Sequence, residues 1–228
     1  MTATPSRSPW WLPAALGILL LVVTVPIFGM IPPDPAGIPA SWGGAIYALE
    51  FAGTPEAFAL AAGTGEPDAA ERLDALRKMT VWDFGYAALY SAFMATWFLA
   101  RHKATGAPWK LAAGFAILAG AADVTENIAL ISALSELQAG NPASAFVPAT
   151  WVKFLAFGST VAAAGYAIQD SGGLWRVVGW LVVVAGILVS VATVTPQTMG
   201  VALGTGIGIG WIAMIAYAIW RILKGHPA

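Results

Sequence analysis

Between Arg7 and Asp34 the chain carries no charged residue. Within that stretch, about Trp10 to Ile31 is apolar almost throughout, and about 20 such residues suffice to cross the hydrocarbon core of a bilayer as a helix. The signature returns over about 80–100, 109–134, 144–168, 174–194 and 199–220. Composition agrees: 58% of the 228 residues are hydrophobic and only 10% are Asp, Glu, Lys or Arg, against roughly 25% in a soluble domain. So few charges cannot coat a water-exposed surface. The expected fold is therefore all-α. It is a polytopic integral membrane protein with six transmembrane helices in one domain over 1–228 and a helical loop over 32–78.

The first apolar run is longer than the core of a signal peptide and lacks an A-x-A site. It ends at Ile31-Pro32-Pro33-Asp34-Pro35, a helix stop, so it reads as a retained span. Lys and Arg in short loops set orientation. With six spans, Arg7, Arg101, Lys103, Lys110, Arg176, Arg221 and Lys224 all fall on one side. Both termini are then cytoplasmic, and the expected location is the inner membrane of a bacterium. In the long loop, Thr54-Pro55-Glu56 has the pattern of an N-cap, a Pro at the first helical position and an acidic first turn. It predicts a short helix to about Ala62. Gly63-Thr64-Gly65 breaks it, and Pro67 to Lys78 predicts a second helix that runs into the second span. The pair is expected to cap the extracytoplasmic face. In the sixth span, Gly200 and Gly204 form a G-x-x-x-G, a face for close helix packing.

Several chemistries are excluded. A net charge of −1 gives nucleic acid nothing to bind. Without Cys there are no disulfides, thiolate nucleophiles, iron–sulfur clusters or Cys-bound zinc. The two histidines, His102 and His226, lie outside the spans and are expected to be solvated, so no His-based haem, zinc site or triad forms within the bilayer. Neither a metal nor a cofactor is expected. Ser91 and Ser159 are read as helix hydrogen-bonders.

Charged side chains inside a span are expensive and face the protein interior or a water-filled cavity. Asp123, Glu126 and Asn127 share one face of the third span at i, i+3 and i+4. By helical rise Glu126 lies roughly 12 Å, Asp123 roughly 16 Å and Lys153 of the fourth span roughly 13 Å from the outer ends of their helices. A Lys153 contact with Glu126 or Asp123 is expected. On the second span Asp83, Tyr86, Tyr90 and Trp97 recur along one side. Asp83, Tyr86 and Tyr90 are expected to face the polar patch of the third span, and Trp97 to pack apolarly. Asp83, Asp123 and Glu126 outnumber the single ammonium, so protons, water or a bound cation must offset the excess.

Asp83-Phe84 with Tyr90 downstream, followed one helix later by Asp123-x-x-Glu126-Asn127, resembles a group of bacterial polytopic membrane proteins in which a short helical segment precedes the D-F helix. The likeness covers roughly residues 54–160. It implies a shared polar set of Asp83, Tyr90, Asp123, Glu126 and Asn127, and no activity.

Three readings follow. In the first, Asp83, Tyr86, Tyr90, Asp123, Glu126, Asn127 and Lys153 line a pocket in the outer half of the bilayer that binds a cation or a small polar or amphipathic ligand. Asp123 and Glu126 carry the charge, Asn127 and the tyrosines orient, and Lys153 sets the charge on its neighbours. A homodimer fits a transport role for so few helices. In the second, Asp123 or Glu126 is the acid/base of an enzyme acting on a lipid. In the third, the polar cluster only docks helices in an accessory or assembly subunit.

Overall fold

The structure, a computed structural model, describes residues 8–225. Arg7 and His226 lie outside the described residues. All regular elements among the described residues are helical: α1 (Trp11–Phe28), a 3₁₀ turn (Ala40–Trp42), α2 (Ala45–Glu50), α3 (Pro55–Ala62), α4 (Ala69–Thr105), α5 (Lys110–Gln138), α6 (Val147–Gln169), α7 (Gly173–Val194) and α8 (Pro196–Leu223). Five of them, α1, α5, α6, α7 and α8, are long and apolar enough to cross a membrane. The expected second span lies inside α4, which is longer than any of these but more polar. Thr80, Asp83, Tyr86, Tyr90, Ser91 and Thr96 dilute its apolar run, and Asp74, Arg77 and Lys78 precede it.

The long helices pack in chain order, each against the next, and α1 closes the ring between α4 and α8. Between apolar surfaces in lipid the hydrophobic effect does not drive helices together, so small residues and close backbone approach do. The tightest such face is between α6 and α7. Gly158 and Gly165 of α6 meet Gly179 and Gly186 of α7 so closely that a Cβ on Gly186 would lie 2.4 Å from the Ala162 nitrogen. The α8 glycines also sit at close approaches. A Cβ on Gly200 would strike the Trp42 carbonyl, and one on Gly210 would strike Val161. Ser91 donates to the Ala116 carbonyl of α5 (3.0 Å), and Ser159 to Leu155 of its own helix (2.8 Å).

Residues 32–78 form a small helical layer at the end of the bundle where α1 stops and α8 begins. As expected, Thr54 caps α3 by accepting from the Ala57 N–H (3.2 Å), and Gly63 ends it at a φ of +73°. The layer has its own apolar centre, in which Leu49, Phe58, Leu73 and Leu76 pack with Leu130 and Leu134 of α5. Arg72 ties it down by donating to the Pro33 carbonyl and pairing with Asp68.

The opposite end of the bundle is aromatic. Trp97 lies fully buried among Trp10, Phe98 and Tyr217, and its indole N–H donates to the Met214 carbonyl (2.9 Å). There Arg101 pairs with Asp170 (3.3 Å) and donates to the Tyr217 hydroxyl (3.2 Å). His102, expected to be solvated, is half-buried, with Nδ1 2.6 Å from the Ala107 carbonyl.

Candidate functional site: a carboxylate ring around Lys153

Lys153 is buried in α6, and its Nζ is the centre of the site. It donates to Glu126 Oε1 at 2.7 Å and makes ion-pair contacts with Glu50 Oε1 at 3.1 Å and Asp123 Oδ1 at 3.2 Å. It also lies 4.7 Å from the centroid of the Phe154 ring. Asp123 receives a second anchor on its other oxygen, a 2.7 Å hydrogen bond from the Tyr90 hydroxyl of α4. Asn127 donates to Asp83 Oδ2 at 2.8 Å. The i, i+3, i+4 face of α5 is thus read by two helices. Lys153 takes Asp123 and Glu126, while α4 takes Asp123 and Asn127.

Glu50 escaped the sequence reading. It belongs to α2, not to a long helix, and three contacts deliver it. Asp34 Oδ1 accepts from the Ala45 N–H at the start of α2 (2.7 Å). The Thr150 hydroxyl of α6 donates to the Glu50 carbonyl (3.0 Å). Phe51 stacks on Phe154, centroids 5.5 Å apart. Gly43 and Gly44, at φ of +76° and +127°, turn the chain into this short helix, a backbone route that L side chains avoid. One signal was present: Glu50 is the only charged residue between Asp34 and Glu56.

Two expected placements need correction. Glu126 is wholly buried and does not line the cavity beside the cluster; it stands behind Lys153 as an anchor. Tyr86 does line the cavity, but its hydroxyl pairs with Thr24 of α1 (2.9 Å) rather than with the α5 patch. Thr24 in turn donates to the Leu20 carbonyl of its own helix (2.7 Å). Such bonds are common for Ser and Thr in apolar helices, so nothing in its sequence position marked it.

The cavity has a volume of about 260 Å³. Its polar end is formed by Glu50, Asp83, Asp123, Asn127 and Lys153, with Tyr47, Tyr86 and Tyr90 beside them. The remaining wall is apolar and includes Met79, Leu130, Phe154, Phe157, Ile207 and Trp211. Helices α1 and α8 touch near Gly17 and Ile215. Further along they form the cavity mouth, where Leu21, Phe28 and Ile212 are 41%, 53% and 60% exposed. A second cleft of about 450 Å³ shares Phe28, Ile31, Ile46, Tyr47 and Gly204 with it and reaches Asp34. Gly204 gives the Tyr47 hydroxyl room between the two, for a Cβ there would lie 2.4 Å from it.

Hydrogen bonding around the ring is unevenly filled. Glu50 Oε2 and Glu126 Oε2 are buried without a hydrogen-bond partner, as is the Trp211 indole N–H. The carboxylates converge on an ammonium, and no three acidic or His side chains among the described residues are placed to hold a metal ion.

Two outcomes follow from these contacts. Tyr90→Phe leaves Asp123 Oδ2 buried without its donor. It is expected to lower stability by about 1–3 kcal/mol, the desolvation penalty of an orphaned acceptor, as read by thermal or denaturant unfolding in detergent. The second concerns pH. Burial, reinforced by Asp123 and Asp83 and only partly opposed by Lys153, raises the Glu50 carboxyl from its usual range to about 7. A carboxyl whose folded value lies above its unfolded value binds more protons in the folded state between the two, so stability falls as pH rises. The melting temperature should drop between about pH 4.5 and 7, and Glu50→Gln should flatten that part of the curve. An unchanged slope in the variant assigns the pH dependence elsewhere.

Comparison of the chain with protein-family models, curated proteins and solved structures finds no match to any of them.

Proposed function

We propose that the chain is a six-span protein of a bacterial inner membrane, with both termini cytoplasmic and residues 32–78 outside, and that its carboxylate-lined pocket binds a cation or a small polar or amphipathic ligand in a binding or transport role. The observation that carries this reading is the cavity. A purely helix-docking cluster would close on itself, whereas here Lys153 packs onto Glu126 and a void remains on the side of Glu50, Asp83 and Asp123. Span count and charge placement support the topology: α4 has the length to cross, and counting it puts Arg101, Lys103, Lys110, Arg176, Arg221 and Lys224 on one side. The resemblance of the Asp83-Phe84…Tyr90 and Asp123-x-x-Glu126-Asn127 helices to bacterial polytopic proteins supports the setting. The apolar wall around the carboxylates also suits the second reading, an enzyme that uses Asp123 as acid/base on a lipid. In transport, a homodimer supplies the further helices.

Asp83, like Glu50, is half-buried, and it stands outside the Lys153 ion pairs, so its variant is the one best tolerated. Native mass spectrometry and lipid analysis of the purified protein should find a co-purifying cation or small amphipathic molecule that Asp83→Asn loses at least tenfold while keeping the helical content of the wild type by circular dichroism. Identical bound species in both proteins, or none in either, removes the pocket reading. Conversion of a bound lipid by the wild type, abolished in Asp123→Asn, decides for the enzyme.

A further inference from the structure

The polar end of the pocket has a specific deficiency, and its mouth has a specific chemistry. Resting on the binding reading above, we propose that the occupant is a primary-ammonium amphiphile: a cationic amine head held between Glu50 and Asp83, and one apolar chain leaving between α1 and α8 toward lipid.

Three independent observations converge on that class. The first is charge. Glu126 is matched by Lys153 behind the wall, whereas Glu50, Asp83 and Asp123 all line the cavity with that same single ammonium. Glu50 Oε2 is buried with no donor. A ligand that brings N–H donors and positive charge fills that need, and an anion or a pure acceptor does not.

The second is shape. The point where Glu50, Asp123 and Glu126 converge, which a bare metal ion would seek, already holds Lys153 Nζ, and no metal-type set of three ligands exists among the described residues. The free volume of about 260 Å³ lies beside that point and is walled mainly by aromatic and aliphatic side chains. Buried water needs several polar partners, so such a wall cannot keep an inorganic ion hydrated. Aromatic faces attract an organic cation within about 6 Å of their centroids. Tyr90, Trp211 and Phe157 supply them as one cluster, with centroids 4.7 to 5.9 Å apart.

The third is the route. The mouth lies between two helices that are each apolar and long enough to face lipid, and its rim residues Leu21, Phe28 and Ile212 are exposed and apolar. A hydrophilic solute gains nothing from that rim, but an alkyl chain does.

The test uses full-length protein in nanodiscs of neutral lipid, with thermal shift and direct binding at submicellar ligand. The probes are dodecylammonium, methylammonium, dodecyl sulfate and sodium ion. Dodecylammonium is expected to raise the melting temperature by several degrees and to bind at least tenfold more tightly than either methylammonium or dodecyl sulfate. Glu50→Gln should weaken it at least tenfold. Ile212→Trp, a change at an exposed rim position that leaves the fold intact, should do the same by obstructing the mouth, so the proposal does not depend on how well Glu50→Gln folds. Methylammonium or sodium ion binding as tightly as dodecylammonium overturns the amphiphile and keeps the cation pocket. Dodecyl sulfate binding equally well overturns the ammonium head. Full-strength dodecylammonium binding to Ile212→Trp overturns the lateral route. If neither ammonium nor sodium ion binds, the proposal fails together with the cation form of the reading beneath it.

Discussion

Lys153→Met is expected to destabilise the protein by about 3–5 kcal/mol, the range for removing one partner of a buried ion pair. The volume of the side chain is nearly kept, so packing contributes little to the loss. What is lost is the only cation among the described residues that faces Glu50, Asp123 and Glu126, at 2.7 to 3.2 Å, and the carboxyls are left facing one another in an apolar surround. Breaking such a group from one side is far worse than replacing it whole. The double variant Lys153→Met with Glu126→Gln should therefore regain much of the loss, because Glu126, wholly buried and without access to the cavity, is the member least able to find another partner. A double-mutant cycle in detergent or nanodiscs reads the coupling. A loss below about 1 kcal/mol, in the range of an exposed ion pair, would mean that the ammonium does not hold the ring together.

The second large effect is expected at Gly186, on the close face between α6 and α7. A Cβ there would lie 2.4 Å from the Ala162 nitrogen and 2.6 Å from the Gly158 carbonyl oxygen, and both are backbone atoms of a helix that cannot step aside alone. Gly186→Leu should force α6 and α7 apart and lower stability by about 3 kcal/mol or more, the upper range for overpacking. Gly114→Leu is the matched control. Its Cβ would meet nothing within 4 Å, so the change should stay within about 0.5 kcal/mol, as for surface substitutions. Because Lys153 rides on α6, Gly186→Leu should also weaken occupancy of the pocket, whereas the control should not. Equal melting temperatures for the two variants would show that this face is not tightly packed.

Much of this was legible in the residues, and what was not has definite causes. Helix bounds followed from apolar length and stop signals; α7 over Gly173–Val194 lies within a residue of its expected range. The Lys153–Glu126 contact followed from matching depths on helices joined by a short loop. The α5 triplet of Asp123, Glu126 and Asn127 followed from helical period alone, since three polar groups on one face of an apolar helix must find partners. Glu50 was hidden because depth counting works only along long helices, and α2 is six residues held by Thr150 and Phe154 from a distant part of the chain. Which of Asp123 and Glu126 meets the cavity was equally unreadable, as one helix face gives no indication of where a void will lie. The glycine pattern pointed to α8, where Gly200 does pack hard on the Trp42 carbonyl; the α6–α7 face went unread because Gly158, Gly165, Gly179 and Gly186 are spread over two helices and only their pairing makes them a face.

The order of the ring along the chain has a consequence for biogenesis. Glu50, Asp83, Asp123 and Glu126 all precede Lys153, so a ribosome delivers every acid before the one base. Until α6 emerges, Tyr90 and Asn127 can donate to Asp123 and Asp83, but no ammonium is present to offset the acids' charge. Arrival of α6 supplies the ammonium that pairs with Glu50, Asp123 and Glu126, so Asp123 should be more accessible to water in a chain stalled before residue 153 than in one released after it. The position of a single lysine thus sets when, along the growing chain, the ring can first be paired.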